Sequence, residues 1–387
     1  MLRSLYSGIS GLRAHQTMLD VTGNNIANVN TAGFKASSTQ FQDTLSQLQQ
    51  GATGPQAQTG GSNPAQIGLG VRVTGVTTNF SQGSSQSTGR ATDMMISGDG
   101  FFVTSKGGQQ LFTRAGAFSP DAANQLVSPD GGILQGWTAT NGVVNAGGPV
   151  GDITLNPNTM VAKKTDTVTL DGNLPSDAAL GTKLDRVVNV YDANGAESSL
   201  TLTFSKTAAG WDASDDGGAT TVGSLAFTNG QLNAGAPITV NGITIDVSKV
   251  SGYATMSSLA VSGQNGAAVG KLESYTLGSD GSLVGSFSNG IKQVLAKIAL
   301  AKFTNPGGLE KAGGSSYVAT GNSGGVQLGA AGDPGIGTLT GGSLEMSNVD
   351  LSQEFTNLIV AQRGFQANAR IITTSDEVLQ ELTQLKR

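Results

Sequence analysis

Apolar residues recur every seven positions at both ends of the chain, whereas the middle has a different pattern. The N-terminal row is Leu5, Leu12, Leu19 and Ile26, and the C-terminal row is Leu351, Leu358, Phe365, Ile372 and Leu379. A spacing of about 3.5 residues keeps one seam of a helix turned towards a neighbouring helix along its length. The rows therefore predict a helix at each end, and they identify these side chains as candidate sites of subunit assembly.

Short alternating apolar runs separated by Gly, Ser, Thr and Asn fill the middle of the chain, which is typical of strands and turns. The runs that favour strands are Val71–Val73, Phe101–Val103, Leu111–Thr113, Ile133–Leu134, Thr167–Leu170, Val187–Tyr191, Leu200–Phe204, Ile243–Val247, Tyr275–Leu277 and Ile298–Leu300. Between two of these runs, Asp192 to Gly195 predicts a hairpin turn, because Asn-Gly supplies positive φ. The expected fold is mainly β with α-helical termini, which form a coiled-coil-like inner domain.

The order of these patterns predicts five parts. They are an N-terminal assembly helix (1–30), a spacer (31–70), a first β-domain (71–149 plus 271–342), an outer β-domain inserted in the first (150–270) and a C-terminal assembly helix (343–387). Gly8, Gly11 and Gly23 each cost the N-terminal helix roughly 0.5–1 kcal/mol relative to alanine, so we expect it to be ordered only when packed. The C-terminal helix should begin near Val349 or Asp350, where polar residues offer N-caps.

Composition excludes several functional classes. The 387 residues carry a net charge of −5 and no basic stripe, which argues against a nucleic-acid partner. Cysteine is absent, so disulfides, thiolate metal sites and cysteine nucleophiles are excluded. The first residues lack the continuous apolar stretch of a secretory signal, and no segment approaches a membrane helix. We therefore expect no membrane insertion and, for a protein outside the cell, export without a cleaved signal peptide.

The sequence offers no convincing catalytic, cofactor-binding or metal-binding site. The single histidine, His15, lies within the N-terminal helical pattern without the partners of a catalytic triad. The segment that begins at Asp212 faintly resembles a calcium loop, but Gly223 stands where a bidentate Glu is needed. The Gly98-Asp99-Gly100 segment is too short for a phosphate-binding loop and predicts a turn. We expect a protein that is not an enzyme and that needs no cofactor.

The two ends together resemble a known family. Residues 24–35 (NNIANVNTAGFK) resemble the N-terminal signature of the bacterial flagellar rod and hook family, and residues 347–351 (SNVDL) with 361–368 (AQRGFQAN) resemble its C-terminal signature. Internal agreement comes from residues 91–93, 98–102, 113–119 and 134–137. The length, the large insertion and residues 303–309 (FTNPGGL) are most similar to the hook members of that family.

The resemblance implies a structural subunit that polymerises into a curved, flexible tube, a universal joint carrying motor torque to the filament. Helical ends would line an inner tube, with β-domains outside. It implies as partners further copies of the chain, the distal rod, the hook cap, the hook-filament junction proteins and the flagellar export apparatus. It places the protein outside the cell, in the flagellar hook, after type III export.

Several alternatives remain open. The terminal helices could pair with each other inside a monomer as an antiparallel coiled coil, although the assembly hypothesis expects Leu12 and Phe365 to be buried only in the polymer. Asn24, Asn25 and Asn28 could bond to neighbouring subunits, or they could simply end the helix. Two other functions compete, a distal rod protein of the same family and a secreted β-rich glycan-binding protein or hydrolase. Few aromatic residues are available for a glycan groove, since the chain has two Trp and five Tyr.

Overall fold

The computed structural model describes residues 2–55, 60–140, 142–156, 158–215, 220–233 and 238–385. The chain divides into two compact units. Unit 1 consists of Met1–Leu155, Thr276–Leu283 and Val294–Arg387, and unit 2 consists of Asn156–Tyr275 and Val284–Gln293. The division into five parts that the sequence suggests stays a prediction.

Two long helices form the ends of the described chain, α1 (Leu2–Ala27) and α2 (Leu351–Leu385). Asp350 caps α2, because its Oδ1 accepts hydrogen bonds from the backbone N–H groups of Ser352 at 2.8 Å and Gln353 at 3.2 Å. The expected start of this helix is confirmed. The predicted mainly β fold with α-helical termini is confirmed as well, and α1 ends at Ala27, three residues before the predicted end of the assembly helix at residue 30.

From α1 to Leu155, unit 1 is built of short strands. They are β1 (Ser37–Asp43), β2 (Ser46–Gln50), β3 (Ala65–Gly68), β4 (Val71–Thr78), β5 (Ser85–Ser87), β6 (Met94–Ser97), β7 (Phe101–Lys106), β8 (Gln109–Thr113), β9 (Ser119–Pro120), β10 (Leu126–Val127), β11 (Ile133–Thr140), β12 (Val143–Val144) and β13 (Gly151–Asp152). The region expected to be a spacer thus contains β1, which pairs antiparallel with β4, and the hairpin of β2 with β3.

The chain then forms the strands of unit 2. They are β14 (Met160–Lys163), β15 (Thr167–Asn173), β16 (Lys183–Tyr191), β17 (Glu197–Thr207), β18 (Gly210–Asp215), β19 (Thr220–Leu225), β20 (Phe227–Thr228), β21 (Gln231–Leu232), β22 (Ile238–Val240), β23 (Ile243–Ser251) and β24 (Ala260–Gln264). The hairpin predicted between β16 and β17 is confirmed, with Gly195 at φ +81°.

The last strands comprise three that contain residues of both units, followed by five that belong to unit 1. They are β25 (Ala267–Leu277), β26 (Ser282–Phe287), β27 (Lys292–Lys302), β28 (Glu310–Gly313), β29 (Ser316–Val318), β30 (Gln327–Ala330), β31 (Thr338–Gly341) and β32 (Ser343–Glu345), with a 3-10 turn at Pro306–Gly308 before β28. The strand segments that the sequence analysis names all lie within these strands.

Each unit has its own hydrophobic core. In unit 1 the strand order β27-β11-β7-β8-β29-β28 builds a sheet on which Phe101, Phe112, Phe303 and Tyr317 pack edge to face. In unit 2 two four-stranded sheets, β22-β23-β15-β24 and β16-β17-β18-β19, enclose a core that includes the fully buried Trp211. Alternating burial along these strands fits sheets with one face on a core.

Candidate functional site: the paired terminal helices

The two helices pack against each other antiparallel at positions occupied by glycine. A Cβ atom added to Gly8 would lie 3.4 Å from Ile371 Cγ2, and one added to Gly11 would lie 2.7 Å from Asn368 Oδ1. Glycine lets two backbones approach closely because it has no Cβ. The sequence pattern suggests only that these glycines weaken α1. In the structure they also form the contact of α1 with α2.

His15 belongs to the same contact and to no catalytic cluster. A Cβ atom on Gly364 would lie 2.5 Å from the His15 ring, and the ring centroid of Phe41 lies 5.8 Å from that of His15. The Nδ1 atom of His15 is buried without a hydrogen bond in the described part of the chain. The imidazole thus acts here as a packing group.

The heptad rows lie on the margin of this helix pair. Their members are half-buried in the single chain except for Leu351, which is 39% exposed, and they are Leu5, Leu12, Leu19 and Ile26 on α1 and Leu358, Phe365, Ile372 and Leu379 on α2. The structure therefore shows α1 and α2 paired within one chain, an alternative that the sequence left open. Leu12 and Phe365 are already partly covered before any assembly. The assembly role of the rows stays a prediction.

Asn25 connects α1 to both of its neighbours. It is 1% exposed, and its Nδ2 donates to Ser37 O at 2.7 Å and to Glu354 Oε1 at 3.2 Å. Its Oδ1 accepts from the Ser37 N–H at 3.0 Å. One amide thus joins α1 to β1 and to α2 inside the chain.

Asn24 and Asn28 mark the end of α1. The Nδ2 of Asn28 donates to Asn24 O at 2.9 Å and to Asn24 Oδ1 at 3.1 Å, and the Asn28 Oδ1 accepts from Thr31 Oγ1 at 3.1 Å. Gly33 completes the turn at φ +70°. The structure fits the helix-ending interpretation of these residues, and contacts of the asparagines with neighbouring subunits stay a prediction.

A cluster of buried ions lies where the segment after α1 meets the strand before α2. Lys35 Nζ donates to Glu345 Oε1 at 2.6 Å and to Ser81 O at 2.7 Å. Arg114 Nη1 lies 3.5 Å from Glu345 Oε2 and donates to Gly98 O at 2.9 Å. The side chains of Lys35, Arg114 and Glu345, the buried ion cluster, are at most 3% exposed. The carboxylate of Glu345 therefore forms ion pairs with both Lys35 and Arg114.

Burial dominates the electrostatics of this cluster. Desolvation lowers the pKa of Lys35, and the hydrogen bond and charge of Glu345 oppose that shift. Desolvation also lowers the pKa of Arg114, against the charges of Glu345 and Asp99. The cluster depends on Glu345, since without it two cations would remain buried without their carboxylate.

Asn348 completes the junction between the two sequence signatures. Its Oδ1 accepts from the Ala36 N–H at 2.8 Å, and its Nδ2 donates to Asn79 O at 2.8 Å. The Gly33 N–H donates to Glu345 O at 2.7 Å. The signatures therefore meet in space, at a junction that no pattern in the sequence predicts. Lys35 and Glu345 are 310 positions apart in the sequence, so their ion pair leaves no local spacing pattern.

The outer face of α2 exposes an apolar surface. Its members are Leu351, Phe355 and Ile359, which are between 39% and 56% exposed and lie on the side of α2 away from Gly364 and Asn368. Val360, Val378 and Leu382 are exposed elsewhere on α2, whereas Ile371 faces Gly8. The contacts of α1 with α2 keep one register, in which Gly8 lies near Ile371, Gly11 near Asn368, His15 near Gly364 and Asn25 near Glu354. In this register Leu2 lies level with residue 377, so that residues 378–385 extend about 12 Å beyond α1 at 1.5 Å per residue.

Other candidate chemistry in the described chain is sparse. Among the described residues no group of three or more His, Asp or Glu could hold a metal ion. Asp212 to Asp215 lie in β18, and residues 216–219 of the segment that resembles a calcium loop fall outside the described residues. None of the described helices is long and apolar enough to span a bilayer.

Sequence profiles of flagellar proteins match three parts of the chain. The profile described as flagella basal body rod protein matches residues 5–35. The profile of the flagellar hook protein FlgE/F/G D1 domain matches residues 95–174, and that of the flagellar basal body rod FlgEFG protein C-terminal region matches residues 340–385. The first and last profiles thus cover the helices and the junction between the two signatures.

Whole proteins give the same result. The flagellar hook protein FlgE of Borreliella burgdorferi is 42% identical over 444 aligned positions, which cover 100% of both chains. The flagellar basal-body rod protein FlgG of Bacillus subtilis is 34% identical over 388 aligned positions, which also cover 100% of both chains. The crystal structure of Helicobacter pylori flagellar hook protein FlgE2 is 14% identical and covers 67% of this chain at a TM-score of 0.47. The chain therefore belongs to the family of flagellar hook proteins, within the wider group of flagellar rod and hook proteins.

Proposed function

We propose that the chain is the structural subunit of the flagellar hook, which polymerises into a curved, flexible tube and transmits motor torque to the filament. The observation that carries the proposal is the apolar outer face of α2, which the single chain leaves exposed beside a helix pair that it has already formed. An uncovered apolar helix face favours association, since burial stabilises by about 25 cal/mol per Å². The heptad rows and the three asparagines are proposed to support the contacts between subunits.

Family membership supports the finer points of the proposal. The chain acts without a catalytic site or cofactor, and its partners are further copies of itself, the distal rod, the hook cap, the hook-filament junction proteins and the export apparatus. It works outside the cell, in the flagellum, after export without a cleaved signal peptide. The parts proposed from the sequence place assembly in the helices (1–30 and 343–387), with β-domains at 71–149 plus 271–342 and at 150–270.

The rod is the second candidate, because the rod protein of Bacillus subtilis aligns over the whole chain. Its 34% identity is below the 42% of the Borreliella burgdorferi hook protein. Replacement experiments in a motile host distinguish the two candidates. A hook subunit restores motility to cells that lack their own hook protein, and it does not restore cells that lack the distal rod protein.

Electron microscopy of the concentrated full-length protein tests polymerisation. We expect tubes from the unchanged chain and none from Phe355→Asp combined with Ile359→Asp, because these substitutions place charge on the apolar face. Val143→Asp is the matched control, since Val143 is 73% exposed and lies outside the helices. An unchanged chain that remains single at every concentration, or tubes from the doubly substituted chain, would contradict the proposal.

A further inference from the structure

A groove between α1 and β4 is open in the single chain. It has a volume of about 440 Å³ and is lined by Tyr6, Ile9, Ser10, Arg13, Ala14 and Thr17 of α1 and by Val71, Arg72 and Val73 of β4. Two of these lining residues are arginines and none is acidic. Tyr6 at its edge is 67% exposed. This α1–β4 groove is therefore apolar at its base and positively charged at its rim.

The α2 helix of the same chain cannot fill this groove. Gly8, Gly11 and His15 form the face of α1 that contacts α2. Tyr6, Ile9 and Arg13 lie on the opposite face, because each residue turns an α-helix by 100°. On that face Ser10 Oγ accepts a hydrogen bond from the Val71 N–H at 3.2 Å, which fixes β4 as the other wall.

The end of α2 has the complementary character. Val378 and Leu382 are 44% and 47% exposed, and they lie in the part of α2 that extends beyond α1. Glu381 is exposed three residues from Val378 and four residues from Glu377, which is also exposed, and residues at these spacings are neighbours on a helix. In the described residues neither glutamate has an ion pair, and neither does Arg13. The α2 tip, defined as residues 377–382, thus presents two apolar and two acidic side chains together.

We propose that the α2 tip of one copy of the chain docks into the α1–β4 groove of a second copy. Val378 and Leu382 pack against Ile9 and the valines of β4, and Glu377 and Glu381 face Arg13 and Arg72. Opposite charges across the contact fix its register and suppress wrong pairings. This proposal rests on the proposed function, because it names the contact through which the polymer grows.

The contact joins different surfaces on the two copies, so a docked pair still offers the free groove of one copy and the free tip of the other. A heterologous contact that does not close produces an open helical polymer instead of a dimer. Growth can therefore continue from either end of a chain of subunits.

Charge reversal in the full-length protein tests the pairing. We expect Arg13→Glu and Glu381→Arg each to raise the concentration needed for tubes by about tenfold, because each creates a like-charge contact. The two substitutions in one chain restore opposite charges and should return that concentration to about the unchanged value. The matched controls are Lys292→Glu and Glu273→Arg, exposed residues of unit 2 that should have no effect.

The absence of cysteine from the chain permits a direct proximity test. Full-length protein with Tyr6→Cys and Leu382→Cys, treated with a short bis-maleimide linker after assembly, should give a ladder of dimers, trimers and longer products on denaturing gels. Cross-linked single chains alone, or no cross-link, would overturn the docking proposal, as would single charge reversals that assemble normally. These results leave the proposed function standing, which is tested separately by tubes from the unchanged chain and their absence from the chain with Phe355→Asp and Ile359→Asp.

Discussion

Glu345→Gln is the substitution that tests the buried ion cluster most directly. Glutamine has nearly the shape of glutamate, so packing and the hydrogen bond from the Gly83 N–H at 2.9 Å are retained while the charge is lost. Lys35 and Arg114 then remain buried without their carboxylate. Breaking a buried ion pair from one side costs about 3–5 kcal/mol. Since about 2–4 °C of midpoint corresponds to each kcal/mol at this size, unit 1 should melt roughly 6–20 °C lower.

The loss should depend on pH through Lys35. Burial lowers the pKa of Lys35 in the folded chain from its ordinary value of 10.5. Between the lowered pKa and 10.5 the unfolded chain binds more protons than the folded chain, so stability rises with pH in this window. Removal of Glu345 removes the contacts that oppose the shift, and the window widens. The cost of Glu345→Gln should therefore be smaller at about pH 9.5 than at pH 7.

Urea unfolding of the full-length protein at both pH values measures these effects, with Glu310→Gln as the control. Glu310 is an exposed residue of the same unit, and its substitution should change the free energy of unfolding by less than about 0.5 kcal/mol. A loss below about 1 kcal/mol for Glu345→Gln would mean that the cluster behaves like a surface ion pair. A loss that grows with pH would refute the role given to Lys35.

Five further substitutions test the helix pair. Gly364→Ala should lower the thermal midpoint of the helical circular dichroism signal, because the added methyl group would lie 2.5 Å from the His15 ring. The control is Gly23→Ala, whose methyl group would meet nothing within 4 Å and which should stabilise α1 by roughly 0.5–1 kcal/mol. The reverse order would disprove the close contact. Asn25→Ala should cost about 1–3 kcal/mol in urea titrations, since the Ser37 N–H loses its acceptor; a negligible loss would show that Asn25 is dispensable. Leu12→Ala and Phe365→Ala should each raise the concentration needed for tubes more than about tenfold. Because both residues are half-buried in the single chain, each substitution should also lower its thermal unfolding midpoint. Unchanged assembly would show that the heptad rows take no part in the contact between subunits.

Sequence periodicity predicted the helices and strands, but it did not predict which of them pack against one another. The heptad rows predicted both helices, and alternation with Asn-Gly turns predicted strands such as those joined at Asp192 to Gly195. Periodicity reports which side of an element is apolar, but it does not report what covers that side. The pairing of α1 with α2 through Gly8 and Gly11 was therefore open, and these glycines looked unfavourable.

Polar contacts between distant segments were outside the reach of any local pattern. Lys35 lies in the N-terminal signature and Arg114 in the internal segment 113–119, whereas Glu345 lies in none of the quoted segments. Their meeting depends on how several strands of unit 1 return to the same place. Asn25 shows the same difficulty, because a buried amide within an apolar stripe fits a subunit contact as well as the link to Ser37 that the structure contains.

The helix pair joins the first and last parts of the chain, and this imposes an order on folding. Asn25 reaches Glu354 across 329 positions, so α1 is synthesised well before α2 and has no helical partner until α2 appears. Contacts of such separation form slowly, since the intervening chain must be closed into a loop first. A chain that stops before residue 350 has strands for a core but no partner for its opening helix. The helix pair thus closes only after the strands between its two helices have been synthesised.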